Sequence, residues 1–180
     1  MIDVVVNPTA GMDFTVIQGD IATQSADVLV NAAGTSLEMG SGVAGALRRG
    51  ANGPINDDAV SNGPIDLGDV VVTDAYDLDA EYVVHAAAMP HYGDGRASDE
   101  SIRTAVENTI AKAEELECDS IVVPVLGTGA AGYPFEEGAH TVCEALSNAE
   151  SATLTDIRVI AYSRDEYETL KEIAEIIKAR

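Results

Sequence analysis

The sequence predicts an α/β fold in which a largely parallel or mixed sheet is covered by helices on both faces. Short β-branched runs alternate along the chain with longer amphipathic stretches, a pattern typical of alternating strands and helices. Most of the predicted strands are continuous apolar runs, which indicates that both faces of the sheet are buried. The chain has 180 residues, so we expect a single domain over residues 1–180.

Short apolar runs predict the strands of this sheet. They cover residues 4–6, 14–18, 28–32, 69–73, 82–87, 120–125 and 157–162. The first run lies in segment 1–11, which is either an additional edge strand or an extension, and the sequence supports both interpretations.

Amphipathic stretches with start signals predict the helices. Ser98 is a suitable N-cap, and Asp99 and Glu100 place negative charge in the first turn, where the helix dipole favours it. Pro134 suits a first turn because no N–H group is needed there. The predicted helices begin near Gly42, Ser98, Pro134 and Asp165, with a shorter helix over residues 54–61.

The chain is strongly acidic, with 31 acidic and 10 basic residues and a formal net charge of -21. A surface this negative repels phosphate backbones and anionic lipids, so we expect neither nucleic acid nor a membrane as partner. The acids are spread along the whole chain, which predicts a protein adapted to concentrated salt, where such repulsion is screened. An ordinary acidic protein is the alternative interpretation.

The histidines and cysteines indicate structural roles. His85 falls within a predicted buried strand, so we expect a hydrogen-bonded core histidine. Cys118 and Cys143 form neither a disulfide framework nor a metal-binding pattern. We therefore expect a protein of the reducing cytoplasm that binds no metal. We also expect a monomer.

Two glycine-rich segments are candidates for binding phosphate. Residues 40–45 and 127–132 each match GxGxxG, and each lies between a predicted strand and a predicted helix. The backbone N–H groups of such loops, together with a helix N-terminus, bind phosphate without lysine or arginine. Either loop alone could be only a tight turn. Two such loops at the carboxyl ends of strands in one sheet would hold a diphosphate.

A third candidate is Asp20, in the segment Gln18-Gly19-Asp20-Ile21 at the end of a predicted strand. Its carboxylate could accept a hydrogen bond from an exocyclic amine, such as adenine N6. A surface acid or a helix cap is the alternative.

Together these segments resemble the macro domain family, which binds ADP-ribose. The resemblance implies a three-layer α/β/α sandwich with a mixed six- or seven-stranded sheet and a ligand cleft at the carboxyl ends of the strands. The motifs that carry it are QGDI at 18–21, VNAA at 30–33, GSGVA at 40–44, GDVV at 68–71, VVHA at 83–86 and the segment 121–134.

The resemblance also implies a set of ligand-binding residues. Asp20 would take the adenine amine and the Ile21 N–H group would support the ring, while the two glycine loops would enclose the diphosphate and distal ribose. Tyr162 matches a position that often stacks on adenine, although a core aromatic is an equal alternative, and Asn31 would position the first loop. The full set is Asp20, Ile21, Asn31, Ser41, Gly42, Val43, Ala44, Gly127, Thr128, Gly129, Ala130, Ala131 and Tyr162.

Departures from the family pattern leave catalysis open. Hydrolytic members commonly carry asparagine, aspartate and an aromatic residue where this chain has Gly34, Ala44 and Ala131. One expected function is a module that binds free or protein-linked ADP-ribose. The alternative is a hydrolase that removes mono-ADP-ribose from acidic residues, deacetylates O-acetyl-ADP-ribose or processes ADP-ribose 1″-phosphate, by phosphate-assisted attack of water. Neither function implies a cofactor.

We predict that the free energy of unfolding rises with salt, because screening removes repulsion between the many carboxylates. Denaturant unfolding at about 0.1 M and about 1 M KCl measures the effect. A free energy of unfolding that is unchanged or lower at the higher concentration would contradict adaptation to salt.

Overall fold

In the part of the chain that the structure describes, six strands form one sheet and five helices cover it. The computed structural model describes residues 12–91, 94–129 and 132–180. The elements, in chain order, are β1 (Thr15–Gln18), β2 (Val28–Gly34), α1 (Gly42–Ala51), α2 (Ile55–Ser61), β3 (Val70–Asp74), β4 (Tyr82–Met89), α3 (Asp99–Glu115), β5 (Ser120–Pro124), α4 (Phe135–Asn148), β6 (Asp156–Ala161) and α5 (Arg164–Lys178). A single 3-10 turn, Ile21–Thr23, follows β1.

The sheet is mixed, with the strand order β1-β6-β5-β2-β4-β3. Every neighbouring pair is parallel except β3 and β4, which are antiparallel. Five strands therefore end at the same edge of the sheet, where their carboxyl ends and the loops that follow lie together. This arrangement confirms the predicted mixed sheet, for which six or seven strands were expected and which has six among the described residues.

Side chains on the two faces of the sheet pack against different helices. Along β2, Val28 and Val30 belong to a core cluster with residues of α3, α4 and α5, whereas Leu29 packs with residues of α1 and α2. All three side chains are fully buried. The alternation follows from the period of two along a strand, and it confirms the three-layer sandwich.

The described strands agree with the sequence prediction to within two residues at either end, and the helices begin within one residue of their predicted starts. Ser98 caps α3 as predicted: its side chain accepts a hydrogen bond from the Ser101 N–H group, and the Ser101 hydroxyl accepts one from the Ser98 N–H group. Ser163 caps α5 by accepting from the Glu166 N–H group. The predicted strand 4–6 and the whole of segment 1–11 lie outside the described residues.

His85 lies fully buried in β4, between Asn31 of β2 and Thr73 of β3. Asn31 Nδ2 donates to His85 Nδ1 over 3.0 Å, so the ring proton of the neutral imidazole is on Nε2, which donates to Thr73 Oγ1 over 2.9 Å. Burial lowers the pKa of His85 to about 4. The expected role as a hydrogen-bonded core histidine is confirmed.

Among the described residues, every helix is too short or too polar to cross a bilayer.

We predict that protonation of His85 destabilises the fold in mild acid. Its folded-state pKa of about 4 lies below the ordinary value of 6.5, so between these values the unfolded chain binds the extra proton. The His85 contribution to stability is complete above pH 6.5 and falls, by up to about 3 kcal/mol, as the pH drops through 4.

Comparison with His85→Gln, which cannot titrate, separates this effect from protonation of the carboxylates. The free energy of unfolding of both proteins is measured by urea denaturation between pH 7 and pH 4, and the variant should lose less over this range. An identical pH dependence in the two proteins would show that His85 does not contribute.

Candidate functional site

A cleft of about 910 Å³ opens at the carboxyl ends of the strands. The ends of β2, β4, β5 and β6 form its floor, and the loops that follow these strands and β1 form its walls. Sites in open α/β sheets occur at this edge because loops there diverge and leave a crevice. The volume lies within the range of roughly 300–1,000 Å³ that is typical of small-molecule sites.

Most of the predicted ligand-binding residues come together in this cleft, although they are far apart in the sequence. Ala130 and Ala131 lie outside the described residues, and Asn31 does not line the cleft. The residues that do line it are Asp20, Ile21, Ser41, Gly42, Val43, Ala44, Gly127, Thr128, Gly129 and Tyr162.

The first glycine loop leads into the N-terminus of α1, which begins at Gly42 with φ +60°. Its N-cap, Ser41, makes no side-chain capping hydrogen bond in the described part of the chain. The first N–H groups of any helix lack partners within the helix. Here they remain available at the cleft wall, with the positive end of the helix dipole behind them.

The second glycine loop is held by the core. Gly127 has φ +78°, and a Cβ atom there would lie 2.7 Å from Ala97 Cβ and 2.9 Å from Ile102 Cδ1. The Thr128 hydroxyl donates to the Val125 carbonyl over 2.8 Å, so this side chain forms a hydrogen bond within the loop. Gly129 has φ +72°, and a Cβ atom there would meet nothing within 4 Å. The loop thus presents backbone, rather than side chains, to the cleft.

Asp20 has two roles at once. Its Oδ1 atom accepts a hydrogen bond of 2.9 Å from the Ala22 N–H group and so caps the 3-10 turn. The residue also lines the cleft. Among the described residues no hydrogen bond to the second oxygen, Oδ2, is recorded, so this oxygen remains available to accept from a ligand.

Tyr162 follows the last residue of β6 and is 77% exposed at the rim of the cleft. The alternative of a core aromatic is therefore wrong. An exposed ring at a cleft rim offers a flat apolar face to a planar ligand group.

Asn31 differs from its expected place beside the cleft. Side chains alternate along β2, so Asn31 lies on the same face of the sheet as Leu29 and Ala33. It is fully buried. Its recorded side-chain hydrogen bond goes to His85 rather than to the first loop, and its Oδ1 atom has no partner among the described residues. The sequence showed the motif, but not which face of the strand this residue occupies.

Charged residues that the sequence analysis did not select also line the cleft. Glu38 and Arg49 lie on the side of the first loop, and Glu136, Asp165 and Glu166 come from the first turns of α4 and α5. The helical spacing of Arg49 from Gly42 was the one sequence signal that could have indicated that Arg49 lies on the helix face at the cleft.

In the part of the chain that the structure describes, no group of histidine, cysteine and acidic side chains could hold a metal ion.

The positions at which this chain departs from the hydrolytic pattern carry no reactive group. Gly34 lines the cleft, and a Cβ atom there would approach the Pro90 carbonyl oxygen to 3.2 Å, which leaves little space for a side chain. Ala44 is buried and presents only a methyl group. Substrate activation by a side chain at either position is therefore excluded.

Comparisons with known proteins agree with this architecture. The model of the macro domain family matches residues 30–142. The chain is 36% identical over 167 residues to a protein of Saccharolobus solfataricus, covering 91% of this chain and 93% of that protein. It is 36% identical over 169 residues to a protein of Pyrobaculum aerophilum, covering 91% of each.

Two solved structures share the fold at lower sequence identity. A mutant of the Oceanobacillus iheyensis macrodomain with ADPR has a TM-score of 0.83 and 22% identity, covering 92% of this chain and 93% of that chain. The Trypanosoma brucei macrodomain in complex with ADP-ribose has a TM-score of 0.77 and 24% identity, covering 87% of this chain and 67% of that chain.

We predict that Gly127→Ala destabilises the protein more than Gly129→Ala does. Both positions have positive φ and carry the same backbone strain, but only at Gly127 would the added methyl group overlap the core. The additional loss in the free energy of unfolding should be about 1–3 kcal/mol. Denaturant unfolding of the two variants measures it, and equal losses would mean that Gly127 does not pack as described.

Proposed function

The chain belongs to the macro domain family, and we propose that its cleft binds ADP-ribose, either free or linked to a protein. The observation that carries the proposal is the arrangement of two glycine loops, one of them at an uncapped helix N-terminus, on the walls of a single cleft. Backbone N–H groups converging from two sides suit a diphosphate, which has acceptor oxygens on both phosphorus atoms.

The diphosphate would lie between the N-terminus of α1 and the second loop. Gly42, Val43 and Ala44 supply first-turn N–H groups on one side, and residues 127–129 supply backbone on the other. Gly129 leaves open space where a side chain would otherwise block the approach.

The adenine would lie at the end of the cleft formed by Asp20, Ile21 and Tyr162. The Oδ2 atom of Asp20 is available to accept from the adenine N6 amine, and the Ile21 N–H group lies next to it in the chain. The exposed Tyr162 ring would stack on the base and lose much of its contact with water. The distal ribose then falls near Gly34 and the first loop.

Hydrolysis of an ADP-ribosyl bond is the second candidate function. Because Gly34 and Ala44 offer no polar side chain, a water molecule would have to be activated by a phosphate of the ligand itself. Lack of one aimed donor costs about 2–4 kcal/mol of transition-state stabilisation, so such an enzyme would be slow. We therefore propose binding as the main function.

We also propose a monomer in the cytoplasm of a salt-adapted cell, with no nucleic acid or membrane as partner. The net charge of -21 supports this setting. Cys118 and Cys143 are buried, and burial raises their pKa values to about 11 and about 12, so neither is a reactive thiol. Large hydrophobic side chains exposed within the described ranges are few and scattered: Val60, Leu67, Tyr162 and Ile176.

We predict that Asp20→Asn removes the preference for adenine. The amide oxygen can still cap the 3-10 turn, but the amide nitrogen that replaces the second oxygen cannot accept a hydrogen bond from N6. The wild-type protein should bind ADP-ribose about tenfold more tightly than inosine diphosphate ribose, which has a carbonyl group in place of the amine. The variant should bind inosine diphosphate ribose at least as tightly as ADP-ribose, because its amide nitrogen can donate to the carbonyl group, and calorimetry measures both affinities.

The same titrations test the proposed function. Saturable binding of ADP-ribose by the wild-type protein is expected, and its absence at millimolar ligand would refute the proposal. Incubation with a mono-ADP-ribosylated protein then separates the two functions: retention of the modification supports a binding module, and its release establishes a hydrolase. A variant that keeps the adenine preference would remove Asp20 from the site without affecting the rest.

A further inference from the structure

The order of the strands determines which segments meet each part of the cleft. Along the sheet, the order β1-β6-β5-β2-β4 places the segment after β1 at one end and the segment after β4 at the other. Asp20 and Tyr162 follow β1 and β6, the two glycine loops follow β5 and β2, and His91 comes two residues after the end of β4. Neighbouring strands lie about 4.8 Å apart, so β4 ends about 10 Å beyond β5, on the side away from Asp20.

His91 is held against Gly34 at this far end of the cleft. Its N–H group donates to Thr35 Oγ1 over 3.0 Å. A Cβ atom on Gly34 would lie 3.7 Å from His91 Cα and 3.2 Å from the Pro90 carbonyl oxygen. The space that a side chain at position 34 would need is therefore occupied by the segment after β4. His91 is exposed and lines the cleft at this point.

The His91 side chain differs from those of the other two histidines in having no recorded partner among the described residues. The ring of His85 is hydrogen-bonded at both nitrogen atoms, and His140 Nδ1 lies 3.5 Å from Glu144 Oε2. An imidazole ring can donate from one nitrogen and accept at the other, which matches a hydroxyl group. Both nitrogen atoms of His91 therefore remain available to a ligand.

The floor of the cleft beside His91 is apolar, because Ala33, Gly34 and Met89 form it. A hydroxyl group that leaves water to enter this end needs a hydrogen-bond partner, since a buried polar group without one weakens binding. Ser36 and Glu38 border this end from the first loop, and His91 borders it from the segment after β4. The end of the cleft at β4 thus suits a group that carries hydroxyls.

We propose that His91 is a specificity-determining residue whose imidazole ring forms a hydrogen bond with a hydroxyl group of the distal ribose, so that the cleft distinguishes ADP-ribose from ligands that end at the diphosphate. The inference rests on the proposed function. With adenine at the ends of β1 and β6, and the diphosphate between the loops after β5 and β2, the next group of an extended ligand lies at the ends of β2 and β4, beside His91.

Two ligands of equal charge test the inference. The β-methyl ester of ADP keeps the adenosine and the diphosphate diester of ADP-ribose, but it carries a methyl group in place of the distal ribose. Calorimetry with both ligands gives a ratio of affinities for each protein. The wild-type protein should bind ADP-ribose at least about tenfold more tightly than the methyl ester.

Variants then assign this preference to one side chain. His91→Ala should weaken binding of ADP-ribose about tenfold and binding of the methyl ester less than about twofold. His91→Phe keeps a planar ring without the nitrogen atoms and should behave like His91→Ala, whereas His91→Gln should restore part of the preference, because a carboxamide both donates and accepts. His140→Ala is the matched control, since it removes a partly exposed histidine of α4 that does not line the cleft, and it should keep the wild-type ratio.

Three results would overturn the inference while ADP-ribose binding stands. They are equal affinity of the wild-type protein for the two ligands, a wild-type ratio in His91→Ala, and a wild-type ratio in His91→Phe. The second would show that the side chain does not contact the ribose, and the third that the ring packs against it without a hydrogen bond. Failure of the wild-type protein to bind ADP-ribose at all would refute the proposed function and this inference together.

Discussion

The site depends on unpaired backbone N–H groups at the edge of the sheet where the parallel strands end. Every helix leaves its first N–H groups without internal partners. In α3 and α5 the serine side chains at positions 98 and 163 satisfy one of them. At the cleft, Ser41 does not do so for α1 within the described residues, and Pro134 has no capping side chain for α4. The helices that follow the two glycine loops thus keep donors open at the cleft, whereas α5, whose first turn also borders the cleft, is capped.

This arrangement explains how so acidic a chain can accept an anionic ligand. Net charge acts over distances that salt screens, with a Debye length of about 10 Å at 0.1 M and about 3 Å at 1 M. Hydrogen bonds and helix dipoles act within the first turn and are screened less when partly buried. Attraction of a diphosphate therefore depends on local backbone geometry. Concentrated salt weakens the opposing repulsion from the remote carboxylates.

Local patterns predicted the fold well, and the site less completely. Serine and proline start signals and apolar runs located the elements, because capping and burial are determined within a few residues. The environments of Asn31 and Tyr162 were harder to predict. They depend on the face of β2 on which Asn31 lies and on the end of β6 that borders the cleft. Arg49 required the orientation of α1 relative to the first loop. No single segment contains that information, because it arises only when distant strands pair.

Packing of Gly127 against Ala97 and Ile102 has a thermodynamic consequence for recognition. The start of the second loop acquires its conformation when the core forms, so the entropic cost of ordering it is met during folding and not during association. Ligand capture should then proceed with little reorganisation of that segment. The same packing ties the evolution of this wall to that of α3, because a change in either must be accommodated by the other.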